Sequence, residues 1–284
     1  MKLLAMLLAL AAERLFSPHR DAAIQTRLWD KLQQWLPLPA FWRSAATPPL
    51  LAALGAGLTY ELWRALPSEP LRLLYSALML FSCLGPRDLA DDVQRLRAAR
   101  AAGDAAEIAR LTRALQSGPE PDADHKSLIG ALFIQSHERL FGTLWWFLAL
   151  GPGGAVLYRL ASRLALLIED AHGPAARSAA ALHALLAWIP ARLTALLYAL
   201  AGSMDDALSA WRRLGDDFDG DWRQRSWAVL AETAGAALDW EDRGGPVVAS
   251  SLDAALAEVL RMQTRAELVL LAVTALLTAG VWLA

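Results

Sequence analysis

Cysteine and charged residues are both scarce in this sequence of 284 residues. The single cysteine, Cys83, excludes an internal disulfide and lies in an apolar stretch, so we expect it to be a small buried side chain. Charged residues make up 20% of the chain, below the roughly 25% of soluble globular proteins. The net charge of −2 gives no overall attraction to nucleic acid, and no nucleic-acid partner is expected.

Hydrophobic residues are abundant instead. They make up 56% of the chain, against about 45–50% in an ordinary soluble protein. The excess is concentrated in runs, which excludes a disordered chain and argues against an ordinary cytosolic enzyme. The composition therefore predicts an all-α membrane protein whose principal partner is the lipid bilayer.

The common catalytic and metal-binding motifs are incomplete. The Gly-Pro-Gly-Gly block at 151–154 lacks the Gly-Lys-Ser/Thr ending of a phosphate-binding loop. His137 begins like a zinc-binding helix, but Phe141 stands where the second histidine would be. The acidic turn at 217–221 alternates like a calcium loop, yet Trp222 occupies the position of the required glycine. We expect no metal site, and no catalytic residue is identified.

Apolar stretches predict a polytopic transmembrane helical bundle with cytoplasmic helical insertions, forming a single membrane domain over 1–284. A helix needs roughly 17–25 apolar residues to cross a bilayer, and the last three stretches reach that length. The first stretch has two interpretations, a cleaved signal peptide or a retained short membrane helix, of which we favour the second. The predicted membrane segments are about 1–16, 45–66, 71–84, 140–160, 179–202 and 267–284.

Basic residues predict the orientation of the chain. Lys and Arg number four in loop 17–44 and seven each in loops 85–137 and 203–265, whereas the turn 67–70 has none. The positive-inside rule places the first three loops in the cytoplasm. The expected location is therefore the bacterial inner membrane, with several passes and large cytoplasmic loops.

The two larger loops are expected to be the helical insertions 85–137 and 203–265. In the first, apolar residues at helical spacing predict a hairpin of two helices. Gly103 and Asp104 would end one helix and cap the next. The expected helices are 88–100, 104–116, 204–214 and 221–238, with a Pro/Asp-rich linker over 117–126.

Arginines inside or beside the apolar stretches are the most informative polar residues. Each would cost about 2.5–3.5 kcal/mol at the centre of a membrane helix, so such residues usually face a protein interior or a watery cavity. Arg64 and Arg72 are expected to reach the lipid headgroups instead. The six residues are Arg14, Arg64, Arg72, Arg139, Arg159 and Arg192.

The other arginines suggest a cavity for an anionic small-molecule ligand, because guanidinium groups suit phosphate and carboxylate. Two alternatives stay open. Adjacent Glu and Arg residues could be ion pairs that fix helix packing, and each histidine could serve a structural hydrogen bond. The candidate ligand-binding residues are Arg139, Arg159, Arg192, Glu138, His137, His183, Tyr158, Glu13 and Arg14.

Four sequence blocks resemble the AmpE family. They are Glu-Arg-Leu-Phe at 13–16, Arg-Leu-Phe-Gly at 139–142 with Trp-Phe at 146–147, Gly-Pro-Gly-Gly-Ala-Val-Leu-Tyr-Arg at 151–159 and Trp-Ile-Pro-Ala-Arg-Leu at 188–193. The resemblance implies an inner-membrane regulatory protein linked to β-lactamase induction and cell-wall recycling, with AmpD as a candidate partner and no cofactor.

A transporter of anionic muropeptides or phospholipids is disfavoured because no inverted repeat is visible.

The last two blocks also resemble the wider CobD/CbiB family, membrane enzymes that attach an aminopropanol arm to cobyric acid. This resemblance implies the alternative function, a membrane-embedded ligase or transferase for a phosphorylated or carboxylated substrate, dependent on nucleotide and magnesium. The chain departs from the enzyme pattern because the Asp-Arg…Gly-Asp-Pro…His-Pro and Ser-Pro-Asn-Ala-Gly blocks are missing. We therefore expect a regulator of the AmpE type rather than an enzyme.

Overall fold

A computed structural model describes residues 1–16, 43–84, 89–116, 127–168, 172–217, 222–238 and 249–283. These ranges contain helices and turns and no strand, which confirms the all-α class. The linker predicted over 117–126 and residues 218–221 of the acidic turn lie outside the described residues. The α-helices are α1 Lys2–Phe16, α2 Thr47–Ala65, α3 Glu69–Cys83, α4 Leu89–Ala102, α5 Ala105–Gln116, α6 Leu128–Ser136, α7 Gly142–Leu150, α8 Pro152–Leu167, α9 Pro174–Ala201, α10 Met204–Asp217, α11 Trp222–Ala236 and α12 Ala249–Leu283.

The described residues form two compact units. The first lies within residues 1–84 and 138–187, and the second within 89–116, 127–137 and 188–283. In the first unit, α8 packs against α2, α3 and α7, while α1 packs against α3. Ala52, Leu164 and Ala179 are the buried centre of one apolar cluster in this unit. Small residues at this centre allow the helices to approach closely.

The stretch 140–160 reverses direction, where the sequence predicted a single span. Helix α7 ends at Gly151, whose φ of 70° is a conformation that favours glycine, and α8 begins at the next residue. A Cβ on Gly154 would lie 2.2 Å from the carbonyl oxygen of Trp146. Because residues eight positions apart cannot touch within one straight helix, α7 and α8 form an antiparallel hairpin.

The second unit contains the hairpin predicted from Gly103 and Asp104. Gly103 has a φ of 70°, and the Asp104 carboxylate accepts a 3.0 Å hydrogen bond from the Glu107 amide, as an N-cap does. Helix α6 packs against α11, and a Cβ on Gly130 would lie 3.0 Å from the Cβ of Ala231. Six of the nine residues of α6 are buried. This helix is a core element of its unit, although the sequence analysis placed it in a cytoplasmic insertion.

Two helices among the described residues are long and apolar enough to cross a membrane, Pro174–Ala201 and Leu252–Ala279. They cover residues 179–201 of the predicted segment 179–202 and residues 267–279 of the predicted segment 267–284. Six membrane segments are therefore not confirmed, and the orientation, the cytoplasmic loops and the single membrane domain stay predictions. The other predicted stretches are helical, but their helices are shorter or less apolar.

Candidate functional site

A π-helical turn, His137–Phe141, joins α6 to α7 and carries three of the candidate residues. A π turn inserts an extra residue into a helix and is frequently found at functional sites. Within this turn, Glu138 belongs to the first compact unit and His137 belongs to the second. The helical period assumed for the sequence does not include such a turn, so its side-chain directions could not be predicted.

Glu138, Tyr158 and His183 form a hydrogen-bonded cluster in the first unit. The Tyr158 hydroxyl donates to Glu138 Oε1 at 2.7 Å, and His183 Nε2 lies 3.0 Å from Glu138 Oε2. Tyr158 is completely buried, and the side chains of His183 and Glu138 are 1% and 14% exposed. An ionised carboxylate only accepts hydrogen bonds, so Nε2 carries the proton and donates it.

Gly142 makes the position of the Tyr158 ring possible. A Cβ on Gly142 would lie 2.4 Å from the ring carbons Cε1 and Cζ and 2.5 Å from the hydroxyl oxygen of Tyr158. The rings of Tyr158 and His183 meet edge to face, with their centroids 5.6 Å apart. The ring therefore lies against the backbone of α7, in a space that any larger residue at position 142 would fill.

Two arginines of α8 lie beside this cluster. Arg159 is 8% exposed, and its Nε and Nη2 atoms are buried without a hydrogen-bond partner, as is Nε of Arg163. Arg159 and Arg163 lie on the same face of α8, because residues four positions apart share a helix face. Arg159 lies within electrostatic reach of Glu138 and Arg163, and Arg163 within reach of Glu138 and Arg139. Arg139 itself is half-buried.

Buried donors without acceptors and buried like charges are both costly. Arg159 and Arg163 outnumber Glu138, whose two oxygens already accept from Tyr158 and His183. The arrangement therefore suits an anion with several acceptor oxygens. Arg163 was missed by the sequence analysis because it lies beyond the predicted end of the stretch 140–160, although its spacing from Arg159 was a usable signal.

His137 and Arg192 belong to the second unit. Thr194 donates its hydroxyl proton to the Pro190 carbonyl at 2.8 Å, so His137 Nδ1, 3.0 Å from Thr194 Oγ1, must be the donor of that contact. The guanidinium group of Arg192 lies 4.2 Å from the Trp188 ring centroid and donates to the Trp188 carbonyl at 2.7 Å. These contacts fit the structural interpretation of His137, and they hold the Arg192 guanidinium group against its own helix.

The nine predicted residues are thus only partly brought together. Glu138, Tyr158, His183 and Arg159 form one site, with Arg139 within electrostatic reach of Arg163. Glu13 and Arg14 lie near the end of α1, half-buried and exposed respectively. The binding of a ligand by the whole set stays a prediction. Within the described residues, no group of three or more His, Cys, Asp or Glu side chains could hold a metal ion.

Comparison with known proteins shows one family. The model of the family described as CobD/Cbib protein matches residues 6–239. The cobalamin biosynthesis protein CobD of Chromobacterium violaceum is 30% identical over 197 residues, covering 66% of this chain and 61% of that protein. The protein of the same name from Stutzerimonas stutzeri is 30% identical over 220 residues, covering 74% and 71% of the two chains. No solved structure matches significantly.

The expected regulator of β-lactamase induction is therefore wrong, and the alternative function fits better. The error has a clear origin. The blocks at 151–159 and 188–193 resemble both families, and the missing enzyme blocks were taken to favour the regulator. The first block builds the α7–α8 turn and places Tyr158 and Arg159, so it reports the architecture of the site rather than a regulatory role. With a family match over most of its length, the chain belongs to the CobD/Cbib protein family.

Proposed function

We propose that this protein is a membrane-embedded ligase or transferase of cobalamin biosynthesis that acts on a phosphorylated or carboxylated substrate. The family match and the names of both relatives support the pathway. The observation that carries the chemistry is the buried guanidinium group of Arg159, whose Nε and Nη2 have no hydrogen-bond partner beside Glu138. This chain spans less than two thirds of the length of the Chromobacterium protein, so an activity like that of the relative is a proposal for this chain.

The residues of the site have separate roles in this proposal. Arg159 and Arg163 bind the anionic group of the substrate, because their unpartnered N–H groups can donate to its oxygens. The amine attacks an activated carboxyl group, the C–O bond to the leaving group breaks, and His183 accepts the proton that the amine loses, through the Nδ1 atom that its contact with Glu138 leaves as the basic nitrogen. Tyr158 holds the Glu138 carboxylate in place. The dependence on nucleotide and magnesium expected from the family resemblance stays a prediction.

The proposed reaction can be tested with purified protein in detergent or vesicles. Cobyric acid is supplied with free or phosphorylated aminopropanol, with and without nucleotide and magnesium, and the amide product is detected by mass spectrometry. We expect product from the wild type and from Arg177→Gln, which changes an exposed arginine. Arg159→Gln should form none. Absence of product from the wild type under every condition contradicts the proposal.

A purely structural role for Arg159 makes a different prediction. If its charge only holds helices together, Arg159→Gln loses activity and thermal stability together. If it binds substrate, the variant keeps its unfolding temperature and loses product formation. Measuring both quantities on one preparation separates the two roles.

A further inference from the structure

The first unit contains a cavity of about 580 Å³ at the end where α2 and α7 finish and α3 and α8 begin. This volume falls within the roughly 300–1,000 Å³ of small-molecule sites. Its walls are mainly apolar and include Ala56, Leu73, Phe147 and Leu157. Such walls offer hydrocarbon contacts and few hydrogen bonds, which is unlike the Glu138 cluster.

Gly57 of α2 opens directly onto this space. A Cβ at Gly57 would meet no atom within 4 Å, whereas a Cβ at Gly153 would lie 2.9 Å from the Ala56 carbonyl oxygen. The helices are therefore closely packed beside the cavity and leave it open at position 57. The ammonium group of Lys2 also lines it and donates to the Leu148 carbonyl at 2.6 Å, at the end of α7.

Aromatic and basic side chains meet at one side of the cavity. Tyr60 and Trp63 contribute to its lining, the Arg64 guanidinium lies 6.0 Å from the Tyr60 ring centroid, and that of Arg72 lies 5.7 Å from the Trp63 ring centroid. Arg64 is 59% exposed in its side chain. Tyrosine, tryptophan and arginine in this combination are typical of the level of lipid headgroups.

The charge at this side of the cavity favours an anion. Arg64 pairs with Glu61 and Arg72 with Glu69. Lys2 lines the cavity itself, whereas Arg64 and Arg72 contact its lining residues Tyr60 and Trp63, so these three cations exceed the two carboxylates. A single phosphate group would complement this excess.

The same helices expose rows of leucine. On α2 the exposed leucines recur every four residues, and on α3 they recur at spacings of three and four, which places each row on one helix face. Large exposed apolar surfaces of this kind mark contact with a membrane or a partner. The exposed leucines are Leu50, Leu54, Leu58 and Leu62 on α2 and Leu71, Leu74 and Leu78 on α3.

We propose that the cavity binds one acyl chain of an anionic phospholipid from the surrounding bilayer. The chain lies against Gly57 and Leu73, and the phosphate of the headgroup lies near Lys2, Arg64 and Arg72. The apolar lining, the adjoining leucine rows and the aromatic-basic border each fit one part of such a lipid. This site is independent of the proposed reaction, since its residues are not those of the Glu138 cluster.

The proposal can be tested by photolabelling the full chain in vesicles of phosphatidylglycerol that carries a diazirine in its acyl chain. Labelled peptides are identified by mass spectrometry. In the wild type we expect labels on residues that line the cavity as well as on the exposed leucines. Gly57→Leu fills open space, so it should abolish the cavity labels and keep those at Leu54 and Leu58, which report a folded, embedded protein.

Gly215→Leu is the matched control, because a Cβ at Gly215 also meets no atom within 4 Å but position 215 does not line the cavity. It should retain all labels. Cavity labels that persist in Gly57→Leu, or labels confined to exposed leucines in the wild type, overturn the proposal. If phosphatidylglycerol and phosphatidylcholine probes label the cavity equally, the site does not select an anionic headgroup, and that part of the proposal is overturned. We expect the preference for phosphatidylglycerol to fall at least threefold when Arg64 and Arg72 are both changed to Gln.

Discussion

The indole Nε1 of Trp146 donates a 2.9 Å hydrogen bond to the carbonyl oxygen of Leu186. This carbonyl is four residues before Pro190, which lies inside α9 and has no N–H to offer it. Trp146 therefore replaces the helical hydrogen bond that the proline removes. A proline inside a long apolar helix is tolerated when a neighbouring side chain satisfies the freed carbonyl in this way.

Trp146→Phe should destabilise the protein by about 1–3 kcal/mol, because it leaves a largely buried carbonyl oxygen unsatisfied. Unfolding in detergent, followed by circular dichroism, measures the change. Pro190→Ala restores an N–H at position 190, so in that background the same Trp146→Phe substitution should cost less. Equal costs in both backgrounds would show that the indole contributes packing alone.

Gly142→Ala should displace the Tyr158 ring, since the new Cβ would lie within 2.5 Å of three of its atoms. We expect a loss of about 1–3 kcal/mol in stability from overpacking, together with loss of the activity that depends on Glu138. Thermal unfolding and the product assay measure the two effects. Gly235→Ala is the control, because its Cβ would meet no atom within 4 Å. Wild-type activity in Gly142→Ala would contradict the assigned position of the ring.

Local signals predicted the features that depend only on neighbouring residues. Gly103 and Asp104 predicted the α4–α5 hairpin correctly, because a positive φ and an N-cap are properties of the residues themselves. The all-α class followed from long apolar runs. Tyr158 and Glu138 were also selected, but their contact across a helical hairpin could not be derived from spacing along one helix.

The features that were missed depend on tertiary packing. The Gly-Pro-Gly-Gly block at 151–154 lies inside the single span predicted over 140–160, and only the closeness of Gly154 to the Trp146 carbonyl shows that the chain reverses there. The π turn at His137–Phe141 changes the side-chain directions, and a regular helical period does not include such a turn. Helix α6 fell inside the insertion predicted over 85–137, whereas its burial comes from neighbours distant in sequence.

Arg159→Met should keep or raise stability in the absence of ligand and abolish anion binding. The substitution removes the cost of burying a charge whose N–H groups have no acceptor, and it relieves the repulsion between Arg159 and Arg163. We expect inorganic phosphate to raise the unfolding temperature of the wild type and of Arg177→Met, but not of Arg159→Met. A phosphate-dependent rise that survives in Arg159→Met would place the anion elsewhere.

Glu138→Gln tests the role of the carboxylate with almost no change of shape. The new amide oxygen can still accept from Tyr158, but its NH₂ group cannot accept the Nε2 proton of His183, so the imidazole must turn or move that proton to Nδ1. The basic nitrogen is then lost, and kcat should fall about 100- to 10,000-fold, as for loss of a general base, while KM changes little.

Combined variants separate a shared function from two independent ones. If Glu138 acts through His183, Glu138→Gln and His183→Gln should each lower kcat by similar factors, and the double variant should be no worse than either. Glu258→Gln, which changes a carboxylate paired with Arg261 in α12, should leave kcat unchanged. Multiplicative losses in the double variant would mean that the two side chains act separately, and the proton-accepting role would then belong to another residue.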